Sequence, residues 1–192
     1  MKVTTTYEWN EVVWENLKIG DSVELPEFTV PETTVEGANE LHFNEQVVND
    51  TATVYDIKDN KLYLVFDHAL LQSAMDLNNE IIWRNTQLHR YLKEHFKLAM
   101  NKAGIFAKKV SLLSKDKLFG DNSLPFFRNG KNRVVFDKDE NNSLWYWLKT
   151  PYEEATVEYF YSASGIGYSD YSCASYASSF VRPCFVISKE GQ

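Results

Sequence analysis

The sequence predicts an α+β fold in one domain, and three patterns in its 192 residues carry that prediction. Two β-rich runs within residues 51–66 flank a turn sequence that suits a hairpin. Over residues 86–103, apolar side chains recur every three or four positions, which is typical of a helix. After residue 143 the chain returns to short apolar runs separated by turn residues. Strands, one helix and further strands in this order favour an α+β domain.

The first 40 residues are predicted to hold a short helix, a short strand and a loop. An apolar residue at every fourth position of residues 9–17 suits one face of a helix that ends at Gly20. Residues 22–25 favour a strand. Residues 31–39 are polar and rich in Thr and Glu, so we expect a loop there.

The predicted hairpin pairs residues 51–57 with residues 62–66. Asp59 and Asn60 lie between them, and both residue types tolerate the positive φ of a tight turn.

The helix over residues 86–103 is the clearest helix in the sequence. Asn85 or Thr86 suits its N-cap, and Gly104 suits its end.

The second half of the chain is predicted to be mostly β. The expected elements are strands over residues 109–113, 133–136, 144–148, 157–161 and 181–187, and one helical turn capped by Ser114. We find no repeat and no interdomain linker. We expect residues 1–140 to support a small sheet formed by residues 141–192.

Composition narrows the class of function. Hydrophobic residues make up 44% of the chain, enough for a sizeable core, and the net charge of -7 disfavours nucleic acid as a partner. No signal peptide and no 20-residue apolar run are found, so we expect a protein made in the cytoplasm and not inserted in a membrane. The two cysteines, Cys173 and Cys184, are expected to be free thiols.

The segment from Tyr159 to Phe180, here called the Tyr/Ser segment, has an unusual composition. It contains seven serines and five tyrosines, and Asp170 is its one charged residue. Tyrosine contributes a large contact area at low entropy cost, while Ser and Gly supply adaptable hydrogen bonding, as in antibody paratopes. A small-residue loop, or a strand pair facing the core, would have a similar composition. The flanking runs, residues 145–151 and 180–187, are apolar and β-rich, which favours a binding surface held between two core elements.

These flanking runs resemble a known family. Trp145-Tyr-Trp-Leu-Lys-Thr-Pro151 resembles the Trp-Trp-Leu-Arg-Ser/Thr-Pro of C-type-lectin-like variable proteins of diversity-generating retroelements, and of related uncharacterised phage and gut-bacterial domains. Val181-Arg-Pro-Cys-Phe185 resembles their closing Gly-Val-Arg-Pro-Ala-Phe. Further similar pieces are Trp9-Asn-Glu, Leu17-Lys-Ile-Gly-Asp21, Val110-Ser-Leu-Leu-Ser-Lys-Asp-Lys-Leu-Phe-Gly120 and Pro125-Phe-Phe. Phe180 stands where relatives commonly carry Gly, so we expect a local backbone difference.

The resemblance implies a C-type-lectin-like fold with a small irregular antiparallel sheet and flanking helices. In diversified relatives, adenine-directed mutagenesis varies the residues before the Val-Arg-Pro strand and excludes Lys, Glu, Gln, Met and Trp. Residues 162–180 contain none of these five. By this analogy the ligand-contacting residues are Tyr161, Ser162, Ser164, Tyr168, Asp170, Tyr171, Ser172, Ser175, Tyr176, Ser178 and Ser179.

Three residues beside the Tyr/Ser segment are expected to have structural roles. Arg182 lies next to a proline in a core strand, where an arginine usually pairs with a buried carboxylate or with carbonyls. Trp145 and Trp147 are expected to be core aromatics, although one of the two can face the other side of its strand.

Evidence for an enzyme is weak. His42, His68, His89 and His95 show no metal-ligand spacing, and Gly165-Ile-Gly167 lacks the remaining residues of a phosphate loop. Glu153-Glu154 is an adjacent pair in a turn, unlike a glycosidase pair. Formylglycine-generating oxidases share the C-type-lectin-like fold and use reactive cysteines, but neither Cys173 nor Cys184 has a His or Lys beside it in sequence.

We therefore expect a non-catalytic ligand-binding protein without metal or cofactor, recognising a protein or cell-surface partner. Association with a phage is implied by the resemblance alone. The alternatives are a virion structural subunit and a Cys-dependent oxidase-like enzyme of the same fold. The oligomeric state is left open.

Overall fold

Short strands dominate the computed structural model, which describes residues 5–138, 142–152 and 158–190. The fold is α+β, as predicted, with several small sheets and one long helix. In chain order the strands are β1 Thr6–Glu8, β2 Ser22–Glu24, β3 Phe28–Val30, β4 Thr33–Val35, β5 Leu41–Phe43, β6 Gln46–Val48, β7 Thr51–Lys58, β8 Lys61–Phe66, β9 Leu71–Gln72, β10 Lys109–Ser111, β11 Val135–Phe136, β12 Ser143–Leu144, β13 Tyr146–Pro151, β14 Tyr159–Ala163, β15 Ser169–Cys173, β16 Phe180–Val181 and β17 Cys184–Ser188.

The predicted hairpin is the centre of the largest sheet. Strands β7 and β8 pair antiparallel, and Asp59 and Asn60 take positive φ at the turn between them. The sheet has six strands in the order β1-β2-β7-β8-β17-β10. Side chains alternate between its two faces, so Leu64 packs in one hydrophobic cluster and Val65 in another.

The predicted helix, here called α1, runs continuously through Gln87–Arg90, Tyr91–Phe96 and Lys97–Lys102, and the middle segment has π-type hydrogen bonding. Thr86 is the N-cap, since its side chain accepts a hydrogen bond from the His89 N–H. Beyond the C-terminal end of α1, Gly104 takes φ +86, a left-handed backbone conformation that glycine adopts readily. The apolar stripe of α1 packs in the same cluster as Leu64. No helix in the described part of the chain is long and apolar enough to span a membrane.

A second sheet has five strands in the order β15-β14-β13-β16-β9. It was expected to be antiparallel, but β13 and β16 pair in parallel, so the sheet is mixed. The predicted strand over residues 181–187 is also wrong in part, because it is two strands in two sheets. Strand β16 belongs to the five-stranded sheet and β17 to the six-stranded sheet, and the chain crosses between them at Arg182 and Pro183. Pro183 has no N–H to donate, which suits this break in the ladder.

The N-terminal predictions need two corrections. Only Trp14–Asn16, a 3-10 turn, is helical within residues 9–17, and its N-cap Val13 makes no side-chain cap hydrogen bond. Trp9 instead packs edge-on against Trp14, with ring centroids 4.6 Å apart, and Val13 is exposed. The expected loop at residues 31–39 contains β4, which pairs with β5 and buries Val35.

Smaller elements complete the fold. The turn after Ser114 is present as α2, Lys115–Leu118, although the Ser114 side chain makes no cap hydrogen bond. An unpredicted helix, α3, spans Pro125–Arg128 with proline in its first turn. The strand predicted over residues 133–136 is shorter, because Gly130–Arg133 is a 3-10 turn. The remaining 3-10 turn is Trp83–Asn85. Val157 and the Glu153-Glu154 pair lie outside the described residues.

Candidate functional site

The Tyr/Ser segment forms a β-hairpin at the edge of the five-stranded sheet. Strands β14 and β15 pair antiparallel, with Tyr161 opposite Tyr171, and β15 is the outermost strand. The turn is closed by hydrogen bonds from Ser164 N–H to the Tyr168 carbonyl, 2.8 Å, and from Tyr168 N–H to Ser164 Oγ, 3.1 Å. Gly167 takes φ +78 in this turn, where a side chain would be strained.

One face of the hairpin carries a platform of tyrosine rings. Tyr171 stacks on Tyr152 with centroids 4.2 Å apart, and Tyr159 meets Tyr171 edge-on at 5.7 Å. Tyr161 packs edge-on against Tyr152 at 5.0 Å, and its hydroxyl accepts a hydrogen bond of 2.8 Å from Lys115 Nζ. Each ring is held by a neighbour, which reduces the side-chain entropy that is lost when a ligand binds.

The opposite side of the hairpin borders a groove of about 420 Å³. Trp145 and Tyr176, both about half exposed, line it together with Phe180. The Phe180 N–H donates a 2.9 Å hydrogen bond to the Trp145 carbonyl, which ties two of these lining residues together. The groove also presents hydroxyl groups, so it combines flat apolar surfaces with polar groups. Its remaining lining residues are Ser143, Leu144, Ser172, Ser178 and Ser179.

The residues predicted to contact a ligand fall into three groups. Exposed residues are Tyr168, Tyr171, Ser175, Tyr176 and Ser178; half-buried residues are Tyr161, Asp170 and Ser172; buried residues are Ser162, Ser164 and Ser179. Tyr168 is the most exposed of the tyrosines, at 67%.

The expectation that Ser162, Ser164 and Ser179 contact a ligand is corrected, because all three are buried. Ser162 lies opposite Trp147 in the sheet and is 0% exposed. Ser164 closes the hairpin turn, and the Ser179 carbonyl accepts a hydrogen bond from Ser73 N–H. Alternation along a strand places every second side chain inside, and composition does not reveal which.

Ser162 gives a testable prediction, because its buried hydroxyl has no hydrogen-bond partner among the described residues. We expect Ser162→Ala to leave the free energy of unfolding unchanged or to raise it by up to about 1 kcal/mol, since an unsatisfied polar group is removed. Thr53→Val is the contrasting variant, because the Thr53 hydroxyl donates to Asp67 and its loss costs about 1–2 kcal/mol. Urea unfolding of both variants measures the difference. A clear loss of stability in Ser162→Ala would contradict the prediction.

Trp145, Trp147 and Arg182 were all expected to be structural, and the structure separates them. Trp147 is fully buried, and its Nε1 donates a 2.7 Å hydrogen bond to the Ser73 carbonyl. Arg182 is buried and donates to the carbonyls of Phe66 and Asn132, at 2.8 and 3.2 Å. The expectation that Trp145 is a core aromatic is corrected, because it is 46% exposed and lines the groove.

Sequence reasoning missed three residues of the candidate site. Tyr159 and Tyr152 complete the tyrosine platform, and Phe180 lines the groove. Tyr159 could have been found, since it lies two residues before Tyr161 and therefore on the same face of a strand. Tyr152 reaches the platform from the residue after β13, and no local signal indicates this.

The cysteine and histidine side chains Cys173, Cys184, His68 and His89 lie in different parts of the fold. Cys173 and Cys184 are free and lie in different sheets, and burial raises the pKa of the Cys184 thiol. His68 Nδ1 lies 2.6 Å from Asp50 Oδ1. Burial lowers the pKa of His89. Within the described ranges no group of three or more His, Cys, Asp or Glu side chains is placed to hold a metal ion.

Residues 99–189 match a family model described as a domain of unknown function, DUF6273. The match covers a little under half of the chain and contains the complete hairpin and both of its flanking runs. No curated protein and no solved structure matches the chain.

Proposed function

We propose that the chain is a non-catalytic binding protein that recognises a protein or cell-surface partner through the Tyr/Ser hairpin. One observation carries the proposal: Tyr168, Tyr171 and Tyr176 are each about half exposed or more on an edge hairpin whose base is buried. Large exposed aromatic side chains on a rigid frame are unusual unless they meet a partner. The groove beside Trp145, which Tyr176 lines, adds a concave element on the side of the hairpin opposite the tyrosine platform.

The frame of the hairpin supports a C-type-lectin-like fold for this region. The two runs that carry the resemblance, residues 145–151 and 181–185, meet where strand β16 lies beside β13 in the five-stranded sheet. Tyr146 pairs with Phe180 in the parallel β13–β16 ladder. In the diversified relatives, this arrangement would display the intervening residues. We therefore propose a retroelement-diversified, phage-associated receptor-binding role.

Genomic context tests the diversification directly. A reverse transcriptase gene beside the coding sequence, with an imperfect template copy of codons 162–180, is the expected finding. Codons in this interval that cannot arise by adenine substitution from such a template would contradict diversification, while leaving a binding role intact.

The alternative roles have less support. A Cys-dependent oxidase needs reactive thiols, whereas Cys184 is buried and its burial raises the pKa of the thiol. A virion structural subunit would assemble through an extensive apolar interface. The exposed residues of the hairpin are mainly Tyr and Ser, a composition closer to that of a recognition surface.

The decisive experiment uses the fluorescently labelled chain and a panel of intact bacterial cells, read by flow cytometry. The triple variant Tyr168→Ala, Tyr171→Ala and Tyr176→Ala is expected to lose more than about 100-fold in affinity for any cell type that the parent binds. Its melting temperature should fall by only about 2–4 °C, because Tyr171 alone loses ring contacts.

Phe106→Ala is the matched control, since Phe106 is an exposed aromatic residue remote in sequence from the hairpin, and it should bind as the parent does. Equal binding by the triple variant and the parent would rule out the hairpin as the recognition surface. A collapse in melting temperature would instead show that the tyrosines belong to the core.

A further inference from the structure

A cleft of about 1530 Å³ opens beside the six-stranded sheet. Part of its lining comes from residues 5–21, from β7 and from the residue after β8. The other part comes from α3, the 3-10 turn Gly130–Arg133, β11 and Arg182. None of these lining residues belongs to the Tyr/Ser segment, so the cleft is a second candidate site.

The carboxylate in this cleft is that of Asp67, which is half-buried at the end of β8. It accepts hydrogen bonds from the hydroxyls of Thr51 and Thr53, and a longer one of 3.5 Å from Ser22. A carboxylate has about four lone-pair sites. The three hydroxyls therefore fix the carboxylate in place and leave it able to accept from one more donor.

The cation in this cleft with the least exposure is Arg182, which is only 5% exposed. Its guanidinium donates to the carbonyls of Phe66 and Asn132, at 2.8 and 3.2 Å, and lies against the Tyr146 ring. These partners are neutral and engage only part of its five N–H donors. Within the described ranges no carboxylate forms an ion pair with Arg182, although a buried cation normally has an anionic partner.

The two opposite charges are close together without being paired. Arg182 Nε lies 2.8 Å from the carbonyl oxygen of Phe66, and Asp67 is the next residue in the chain. Standard bond lengths then place the Asp67 carboxylate within roughly 9 Å of this nitrogen. An ion pair of about 4 Å or less does not join them in the described part of the molecule.

A gap of this size fits a small ligand that carries both charges. In a free α-amino acid the ammonium nitrogen and the carboxylate lie about 3 Å apart. With a charged hydrogen bond of about 2.8 Å at each end, such a molecule spans about 8–9 Å. It would supply the donor that Asp67 can still accept and the anion that Arg182 lacks.

The cleft also has an apolar part. Ile19 and Phe136, 41% and 44% exposed, line it together with Phe126 and Val134. Large apolar side chains that share one exposed concave surface are typical of a place where a ligand is bound. Small-molecule sites commonly have volumes of roughly 300–1,000 Å³, so this cleft has room for an amino acid with water around it.

The remaining charged residues of the cleft contribute less. Lys18 and Lys131 are both exposed, so solvent screens their charges. Asp21 Oδ2 already accepts a 2.9 Å hydrogen bond from the Lys18 backbone N–H. The charges with the least access to solvent are therefore those of Asp67 and Arg182.

We propose that this cleft binds a free α-amino acid with an apolar side chain. The ligand ammonium donates to Asp67, its carboxylate accepts from Arg182, and its side chain packs against Ile19 and Phe136. A simple anion would be repelled by Asp67 and a simple cation by Arg182, so the pair of charges selects a zwitterion. The site does not depend on the function proposed for the Tyr/Ser hairpin.

Titration of the ¹⁵N-labelled protein with L-leucine, followed by NMR, tests the site. We expect saturable shifts of the amide signals of Ile19, Asp67 and Phe136. Two analogues remove one charge each without altering the protein, since N-acetyl-L-leucine lacks the ammonium group and L-leucinamide lacks the carboxylate. Each should bind at least about tenfold more weakly, the effect of losing one charged hydrogen bond.

The variant Asp67→Asn separates binding from structure. It should lower the affinity for L-leucine about tenfold and leave that for N-acetyl-L-leucine nearly unchanged, because the analogue has no ammonium group to lose. A purely structural role of Asp67 would weaken both ligands equally. Asp116→Asn is the matched control, since Asp116 is exposed on α2 and does not line the cleft, and it should bind as the parent does.

Three results would overturn the proposal. One is the absence of saturable shifts with L-leucine. The second is equal affinity of the parent for L-leucine and both analogues, which would mean an apolar surface that does not recognise charge; it is decisive even if Asp67→Asn fails to fold. The third is tighter binding of D-glucose than of L-leucine, which would identify a site for a neutral polyol.

Discussion

Trp147→Ala is expected to lower the free energy of unfolding by about 3–5 kcal/mol, the range for removing a buried tryptophan. Trp147 is fully buried between its strand neighbours, in one cluster with Phe160 and Val181. The substitution opens a cavity and also leaves the Ser73 carbonyl without its 2.7 Å hydrogen bond. Because a domain is stable by only about 5–15 kcal/mol, we expect a large fraction of unfolded chain under mild denaturing conditions. Urea unfolding followed by circular dichroism measures the loss.

Trp145→Ala is the control, two residues away and with the same change in side-chain size. Trp145 is 46% exposed, so its truncation should cost less than about 1 kcal/mol. Equal losses in the two variants would show that both indoles belong to the core, against the structure.

Arg182→Met is expected to cost about 3 kcal/mol, although methionine fills much of the same space. The guanidinium donates to the carbonyls of Phe66 and Asn132, and its carbon centre lies 5.5 Å from the centroid of the Tyr146 ring. Those carbonyls come from two different parts of the chain, and both lose a charged donor. Thermal and urea unfolding measure the effect.

Two companion variants sharpen the interpretation of Arg182. Arg182→Lys keeps the charge but has no planar fork, so it should recover only part of the lost stability. Arg84→Met makes the same exchange at an exposed position and should change the free energy of unfolding by less than about 0.5 kcal/mol. Full stability in Arg182→Met would show that the two carbonyls find other donors.

The parts of the fold that were predictable are those set by neighbouring residues. The helix α1 has a long apolar repeat, a Thr86 cap and a terminal Gly104, all within one window of sequence. The β7–β8 hairpin is joined by Asp59 and Asn60, which favour the required positive φ. Local preference and tertiary packing agree in both elements.

The missed elements depend on distant partners. Strand β3 pairs with β6, and β4 pairs with β5, in ribbons of three residues each. So short a strand has no periodicity to detect, and the Thr and Glu residues in and around β4 are typical of a loop. Likewise, the composition of residues 181–187 predicts one continuous strand. The change of sheet at Arg182 depends on which strands are available for pairing on either side, and these are distant in sequence.

The composition of the Tyr/Ser segment located the candidate surface but did not show which of its residues are exposed. Tyr168, Tyr171 and Tyr176 are exposed, as expected for contact residues. Serine is small enough to lie on either side of a strand, so Ser162 and Ser175 could not be told apart. Which of Trp145 and Trp147 faces inward is decided by the pairing of β13 with β14 and β16, and that pairing is not local information.

The crossing of the chain from β16 to β17 also fixes the order in which the molecule can assemble. Strand β17 lies between β8 and β10, so the edge strand β10 has no partner in the six-stranded sheet until residues 184–188 arrive. Phe66 and Arg182, which join across this boundary, are 116 positions apart. Contacts of such long range slow folding, because a large loop must close before they form. We therefore expect both hydrophobic clusters to close only when the final strand enters, since residues of β17 belong to each of them.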